Sequence, residues 1–162
     1  MPSVEIIEAD LGRAEHQQAI VHLTNAYAQD PMANGEALPE EVLKFLVEAL
    51  RRHPTTVILL AYQGSEAIGI ATCFLGFSTF AARPLLNLHD LAVLPEFRGK
   101  GVGRQLLQAV ERKARELGCC KLTLEVQEDN SPARRLYERF GFADVRYGDS
   151  GPTRFLGKPL TR

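Results

Sequence analysis

The sequence contains no tryptophan and few cysteines, and it has no apolar run long enough to span a membrane. Its three cysteines cannot form an even disulfide framework, and two of them, Cys119 and Cys120, are adjacent, so we expect reduced thiols. No Cys/His ligand spacing occurs, so no metal is expected. The N-terminal Met-Pro-Ser-Val-Glu lacks the basic and apolar regions of a secretory leader. These absences predict a cytoplasmic protein.

Neither sign of charge is in excess, because 19 lysines and arginines face 20 aspartates and glutamates. A nearly neutral chain has no long-range field that attracts nucleic acid or an anionic membrane, so neither partner is expected. The 162 residues are enough to bury a core without disulfides, and no repeat or linker interrupts them. We therefore expect one domain over residues 1–162.

Apolar spacing predicts alternating strands and helices along the chain. Spacings of three and four residues predict helices at 14–28, 40–52, 102–117 and 131–140. Apolar runs or alternation predict strands at 4–7, 56–63, 67–77, 85–94 and 122–126. A last strand pair is expected at 142–147 and 153–156, on either side of a Gly-Asp-Ser-Gly turn.

The stretch Arg98-Gly99-Lys100-Gly101-Val102-Gly103 lies between a predicted strand and a predicted helix. Glycine permits positive φ and close approach of a ligand, and the first turn of a helix has unpaired N–H groups that favour a diphosphate. It is not a P-loop, which needs wider glycine spacing and Ser or Thr after Gly-Lys, nor a dinucleotide fingerprint, which needs glycine at Arg104. A strand-to-helix turn without a ligand is the alternative.

The order strand, proline, Arg-x-x-Gly-x-Gly, helix, strand, Asn-Ser-Pro-Ala, Leu-Tyr, Gly-Phe resembles the GCN5-related N-acetyltransferase (GNAT) superfamily. The resemblance is close over residues 87–142. Residues 77–80 and 87–93 are also similar, more weakly, to small diamine and polyamine acetyltransferases. The resemblance implies an α+β fold with a mixed, mostly antiparallel sheet of about seven strands, splayed central strands and about four flanking helices.

The resemblance also implies acetyl-CoA as co-substrate, bound between the splayed strands. Backbone groups of 91–93 would pair with its pantetheine arm, amides of 99–104 would hold its pyrophosphate, and Arg98 would anchor that loop. Asn130 and Ala133 would flank the pantetheine, and 123–125 would line the fifth strand. The implied cofactor-binding residues are Leu91, Ala92, Val93, Arg98, Gly99, Lys100, Gly101, Val102, Gly103, Arg104, Asn130 and Ala133.

Two catalytic side chains are implied. Tyr137, seven residues after Asn130, stands at the family's general-acid position, and a phenol of pKa ~10 can protonate a thiolate; packing on a helix face is the alternative role. His89 is the candidate base because imidazole titrates near ~6.5, although a structural histidine is the alternative. It replaces a glutamate of the diamine enzymes, which places polyamine specificity in doubt. The family's oxyanion donor is the backbone N–H of Ala92 or Val93.

These residues predict transfer of an acetyl group from acetyl-CoA to a primary amine of a small molecule, by direct attack in a ternary complex. The alternatives are acetylation of a protein or peptide, and a non-catalytic acyl-CoA-binding module. A homodimer is a candidate assembly. Acceptor selection is expected from residues 24–41, whose polar groups would attract a cation or form a solvated face: Tyr27, Asp30, Glu36, Glu40 and Glu41.

Overall fold

The computed structural model describes residues 2–161, which divide after Leu124 into two compact units. The first unit contains β1 (Val4–Glu8), α1 (Ala14–Gln29), α2 (Glu40–Arg52), β2 (Thr56–Gln63), β3 (Glu66–Ser78), β4 (Arg83–Val93), a 3₁₀ turn (Pro95–Phe97), α3 (Val102–Glu116) and β5 (Leu122–Leu124). The second unit contains α4 (Ser131–Phe140). The four predicted helices and the first five predicted strands are confirmed.

The strands form one sheet in the order β1-β2-β3-β4-β5, in which the first three pairings are antiparallel and β4 pairs with β5 in parallel. The β4–β5 ladder joins Leu86–Leu88 to Leu122–Leu124 and stops there, whereas β4 continues to Val93. The predicted α+β class with a mixed, mostly antiparallel sheet is confirmed. The short ladder agrees with the expected splaying of the two strands.

Helices cover both faces of the sheet, which explains why the middle strands are continuously apolar. On one face, Ile20 and Leu23 of α1 pack with Ile58, Leu60 and Ile70. On the other face, Leu106 of α3 lies so close to Gly69 that a Cβ added there would be 3.1 Å from its methyl group. Each fully buried leucine or isoleucine contributes about 1.5–3 kcal/mol of transfer free energy, so this double layer holds the site-bearing ends of α1, β4 and α3 in place.

The prediction of a sixth and a seventh strand is wrong. Among residues 2–161 the sheet has five strands. Residues 142–147 and 153–156 are irregular, although the amide of Thr153 donates to the carbonyl of Val145 at 2.8 Å. Phe155 and Leu156 remain 78% and 83% exposed. Because most apolar side chains of these two segments are exposed and bury little surface, they do not stabilise a ladder. Within residues 2–161 no helix has the length and apolarity needed to span a membrane.

Candidate active site

β4 contains a β-bulge at His89. On β3, Cys73 is opposite Leu88 and Thr72 is opposite Asp90, so His89 is the extra residue between two paired positions. A bulge bends its strand and redirects the backbone, and bulges are over-represented next to active sites. Neither residue type nor spacing in the sequence indicated it.

The bulge changes which backbone groups face each neighbouring strand. Before it, the amide of Leu86 donates toward the β5 side at 3.1 Å; after it, the amide of Leu94 donates to β3 at 2.9 Å. Since N–H directions alternate along a strand, the amides of Leu91 and Val93 point away from β3. They therefore lie along the edge of β4 that extends past its short ladder with β5. Of the two expected oxyanion donors, Val93 and not Ala92 has its N–H on this edge.

Two titratable side chains lie at the bulge in different surroundings. The imidazole of His89 is exposed, with its ring edge-on to Phe74 at a centroid distance of 5.5 Å. The carboxyl of Asp90 is half-buried, and burial raises its pKa above the ordinary aspartate value although the adjacent His89 lowers it. Burial, with a smaller contribution from Asp90, raises the pKa of Cys73 to about 12. Asp90 is thus a carboxyl that retains its proton to higher pH than usual.

A shallow open cleft lies where α1 meets the end of β4. Burial raises the pKa of the Tyr27 phenol, and the negative charges of Asp90 and Asp30 raise it further. The cleft therefore combines apolar walls with a phenol close to two carboxyls. Its lining is Leu23, Ala26, Tyr27, Ala92, Val93, Leu94, Pro95 and Arg98.

Arg98 connects two elements at the rim of this cleft. Its Nε donates to the carbonyl of Val93 at 2.9 Å, and its Nη2 donates to Oδ2 of Asp30 at 2.6 Å. The Asp30 side chain is 14% exposed and that of Arg98 is 49% exposed. The backbone amide of Met32 and, after it, Arg98 hold the pKa of Asp30 below its ordinary value against the opposing effect of burial. Arg98 was expected to anchor the glycine loop. In the structure its guanidinium binds the carbonyl of Val93 and the carboxylate of Asp30.

The glycine loop has the conformation that its sequence predicts. Gly99 and Gly101 have φ of 74° and 83°, in the left-handed region, and α3 begins at the next residue, Val102. A Cβ added to either glycine would meet no atom within 4 Å, so glycine is needed for its φ and not for space. The Lys100 ammonium is turned back onto the carbonyl of Glu96 at 3.0 Å.

The start of α3 suits an anion. The first bond into the helix runs from the amide of Gln105 to the carbonyl of Gly101 at 3.1 Å, so the amides of the first turn, up to Arg104, have no partner inside the helix. No acidic side chain stands in that turn. Because the helix dipole adds positive potential there, a phosphate group would be stabilised beside Gly103 and its neighbours.

In the second unit, Asn130 caps α4. Its Oδ1 accepts a hydrogen bond from the amide of Ala133 at 3.3 Å, so two residues expected at the pantetheine bind each other. Tyr137 is half-buried, with its ring edge-on to Phe142 at 5.8 Å, and the helix ends at Gly141, whose φ is 105°. The sequence predicted this cap, this helix and this end.

The predicted residues between 89 and 104 occupy one continuous segment of the first unit, and Asn130, Ala133 and Tyr137 belong to the second. Besides the β-bulge at His89, two features of the site were missed by sequence reasoning. One is the pairing of Asp30 with Arg98, which are separated by 68 positions. The other is the proton affinity of Asp90, which follows from its burial and has no signal in the sequence.

The sequence model of the acetyltransferase (GNAT) family matches residues 19–142. An N-alpha-acetyltransferase of Sulfurisphaera tokodaii is 31% identical over 170 residues, covering 97% of this chain and 100% of that protein. The chain therefore belongs to the acetyltransferase (GNAT) family, and the resemblance inferred from its motifs is confirmed.

Two further relatives match part of the chain. An uncharacterised N-acetyltransferase of Bacillus subtilis, YhfO, is 37% identical over 100 residues, which are 62% of this chain and 66% of that protein. A thialysine N-epsilon-acetyltransferase of Bos taurus is 34% identical over 83 residues, 51% of this chain and 48% of that protein. These alignments thus span about two thirds and about half of the relatives' own lengths.

Solved structures share the fold. A probable acetyltransferase superposes with a TM-score of 0.77 at 27% identity, covering 95% of this chain and 99% of that one. An aminoglycoside N-acetyltransferase in complex with CoA gives a TM-score of 0.72 at 20% identity, covering 96% and 97%. At the latter identity the likeness concerns the fold alone.

Proposed function

We propose that this chain is an acetyl-CoA-dependent N-acetyltransferase that acetylates a primary amine of a small molecule by direct attack in a ternary complex. The observation that carries the proposal is the end of β4. There, outward-facing amides of Leu91 and Val93 lead into a left-handed glycine loop and the unpaired amides of α3. We treat residues 1–162 as one catalytic domain, because the family match runs across both compact units.

The residues at this edge fit acetyl-CoA. The pyrophosphate would accept hydrogen bonds from the amides of 99–104, because the loop and the helix start are free of acidic side chains. The pantetheine amides would pair with Leu91 and Val93 as an added strand. Asn130 and Ala133 are assigned to the pantetheine by the family motif. The neighbour that is solved with CoA supports the choice of cofactor.

For the chemistry, His89 would accept a proton from the acceptor ammonium, and the amine nitrogen would attack the thioester carbonyl. The N–H of Val93 would stabilise the oxyanion. As the C–S bond breaks, Tyr137 would protonate the sulfur and then recover a proton from the new amide nitrogen. The role of Tyr137 rests on the family motif; that of His89 rests on its exposure at the bulge.

The acceptor would enter the cleft beside Tyr27. Asp90 and Asp30 place negative charge near its phenol, which favours a cationic amine. A second candidate acceptor is the α-amine of a protein or peptide, because the relative that aligns along its whole length is an N-alpha-acetyltransferase. We place either reaction in the cytoplasm, where the free thiols of Cys73, Cys119 and Cys120 are stable.

An acceptor screen tests the proposal. Purified protein with acetyl-CoA is offered diamines, thialysine, amino acids, aminoglycosides and peptides with free N-termini, and thiol release is followed spectroscopically. Turnover of a small amine supports the main proposal, and turnover of peptides alone supports the second candidate. A thermal shift with CoA but no turnover would leave a binding module, and absence of both would contradict the cofactor site. Native mass spectrometry tests the homodimer.

A further inference from the structure

We propose that Asp30 and Arg98 form a clasp through which cofactor bound at the glycine loop orders the α1–α2 segment, residues 30–39. The clasp consists of Asp30, Arg98 and the carbonyl of Val93. Asp30 is then a positioning residue for the acceptor amine. This inference rests on the proposed function in taking the glycine loop as the cofactor side and the α1–α2 segment as the acceptor side.

Arg98 occupies the junction between the two sides. It directly precedes Gly99, so any group that fixes the amides of the loop also fixes the backbone of Arg98. Its guanidinium binds β4 through Nε and α1 through Nη2, at 2.9 and 2.6 Å. A guanidinium has a planar fork of donors that can serve two acceptors at once, which a lysine ammonium on a flexible stem does not reproduce.

Asp30 passes this restraint into the α1–α2 segment. While Oδ2 binds Arg98, Oδ1 accepts the amide of Met32 at 2.8 Å. The backbone carbonyl of Asp30 accepts the amides of Ala33 and Gly35 at 2.8 and 3.1 Å. The first half of the segment is thus organised around one residue, whose orientation is set by Arg98.

The surroundings of the clasp argue for a positioning role rather than a purely stabilising one. Arg98 is 49% exposed and lines the cleft together with Tyr27, whereas its partner Asp30 is 14% exposed. The ion pair therefore connects the open cleft to the packed end of α1. A device at this place can couple the two ligands, and such coupling acts equally in both directions.

Hydrogen–deuterium exchange with CoA as the probe tests the clasp. In the wild-type protein we expect CoA to slow exchange in peptides covering 98–105 and also in those covering 31–35. In Asp30→Asn, whose side-chain oxygen can still accept the Met32 amide, we expect slowing at 98–105 but not at 31–35. Glu8→Gln is the matched control, because Glu8 makes a 2.8 Å ion pair with Lys113 elsewhere in the unit; it should behave as wild type.

The inference is overturned if Asp30→Asn keeps the protection at 31–35, or if CoA slows exchange at 98–105 in the wild type but leaves it unchanged or speeds it at 31–35. If CoA does not change exchange at 98–105, the proposed cofactor site is contradicted. The clasp is then tested by exchange without ligand. In that case Arg98→Gln must speed exchange at 31–35 while Glu8→Gln does not. Equal exchange in the two variants would overturn the clasp.

Kinetics with the acceptor found in the screen give a second readout. At saturating acetyl-CoA, Asp30→Asn should raise the acceptor KM by about five-fold or more, within the usual range of coupling between sites, whereas the Kd of CoA measured without acceptor should change less than about two-fold. Arg98→Lys should not fully restore what Arg98→Gln loses, because an ammonium on a flexible stem does not hold both acceptors as the planar guanidinium fork does. A fall in kcat with an unchanged acceptor KM would contradict the positioning role.

Discussion

Replacing Gly101 by alanine tests the glycine loop most directly. The φ of Gly101 is 83°, and an added Cβ would meet no atom of the protein within 4 Å, so the cost is conformational. An L-residue in the left-handed region costs about 1–2 kcal/mol. If the free loop keeps this conformation, the loss falls on stability and lowers Tm by about 2–8 °C for a chain of this size.

If instead the exposed loop of the variant relaxes to another conformation, the cofactor must restore the left-handed one when it binds. The same free energy is then lost from binding. A cost of about 1–2 kcal/mol then raises the Kd of CoA about 5- to 30-fold. We expect this second outcome, because Gly101 is exposed and little else holds its conformation. Isothermal titration calorimetry with CoA and differential scanning fluorimetry measure the two quantities on the same samples.

Gly64→Ala is the matched control. Gly64 has φ of 61° in the turn between β2 and β3, and a Cβ there would also meet no atom within 4 Å. It should lose about 1–2 kcal/mol of stability, because the paired strands β2 and β3 hold the turn in place, and it should leave the Kd of CoA within about two-fold. If Gly101→Ala and Gly64→Ala bind CoA equally well, the left-handed loop is not what holds the pyrophosphate.

Three further changes test the rest of the site. Tyr137→Phe should lower kcat about ten- to thousand-fold without changing the Kd of CoA, as loss of a general acid does, whereas an unchanged kcat would leave Tyr137 packing on Phe142. Burial raises the folded-state pKa of Asp90, so the native state binds more protons and stability falls as pH rises above the ordinary aspartate value of ~3.9. Asp90→Asn should therefore be more stable than wild type at pH 7 in urea titrations, with the gain vanishing below about pH 4; a gain that persists at low pH would contradict this. Asn130→Ala removes the acceptor of the Ala133 amide and should lower the free energy of unfolding by about 1 kcal/mol, measured by thermal unfolding. Asn130→Ser keeps a side-chain oxygen at the cap and should retain most of that stability.

The elements with local signals were predictable. Helix α4 follows from Asn130 as cap and Gly141 as end, and α1 ends before Asp30-Pro31 because a residue preceding proline avoids the helical region. The glycine loop was predicted from its residue types together with its place between a strand and a helix. Such features depend on a few neighbouring residues, so the sequence contains all the information that they need.

Features that depend on distant contacts were not predictable. The strands expected at 142–147 and 153–156 do not form, and Phe155 and Leu156 remain exposed. The bulge at His89 results from the register of β4 against β3, which no residue type indicates. Arg98 was expected to anchor the glycine loop, but no feature of the sequence indicated its partner Asp30, which the packing of α1 on the sheet brings to it.

The bulge at His89 also sets which face of the sheet each later residue of β4 occupies. If His89 took a regular place in the ladder opposite Thr72, every later position of β4 would shift by one partner along β3. The amide of Val93 would then turn toward β3, and Ala92, which packs on the core beneath α1, would change faces with it. The amides that the end of β4 presents therefore depend on this one residue staying outside the ladder.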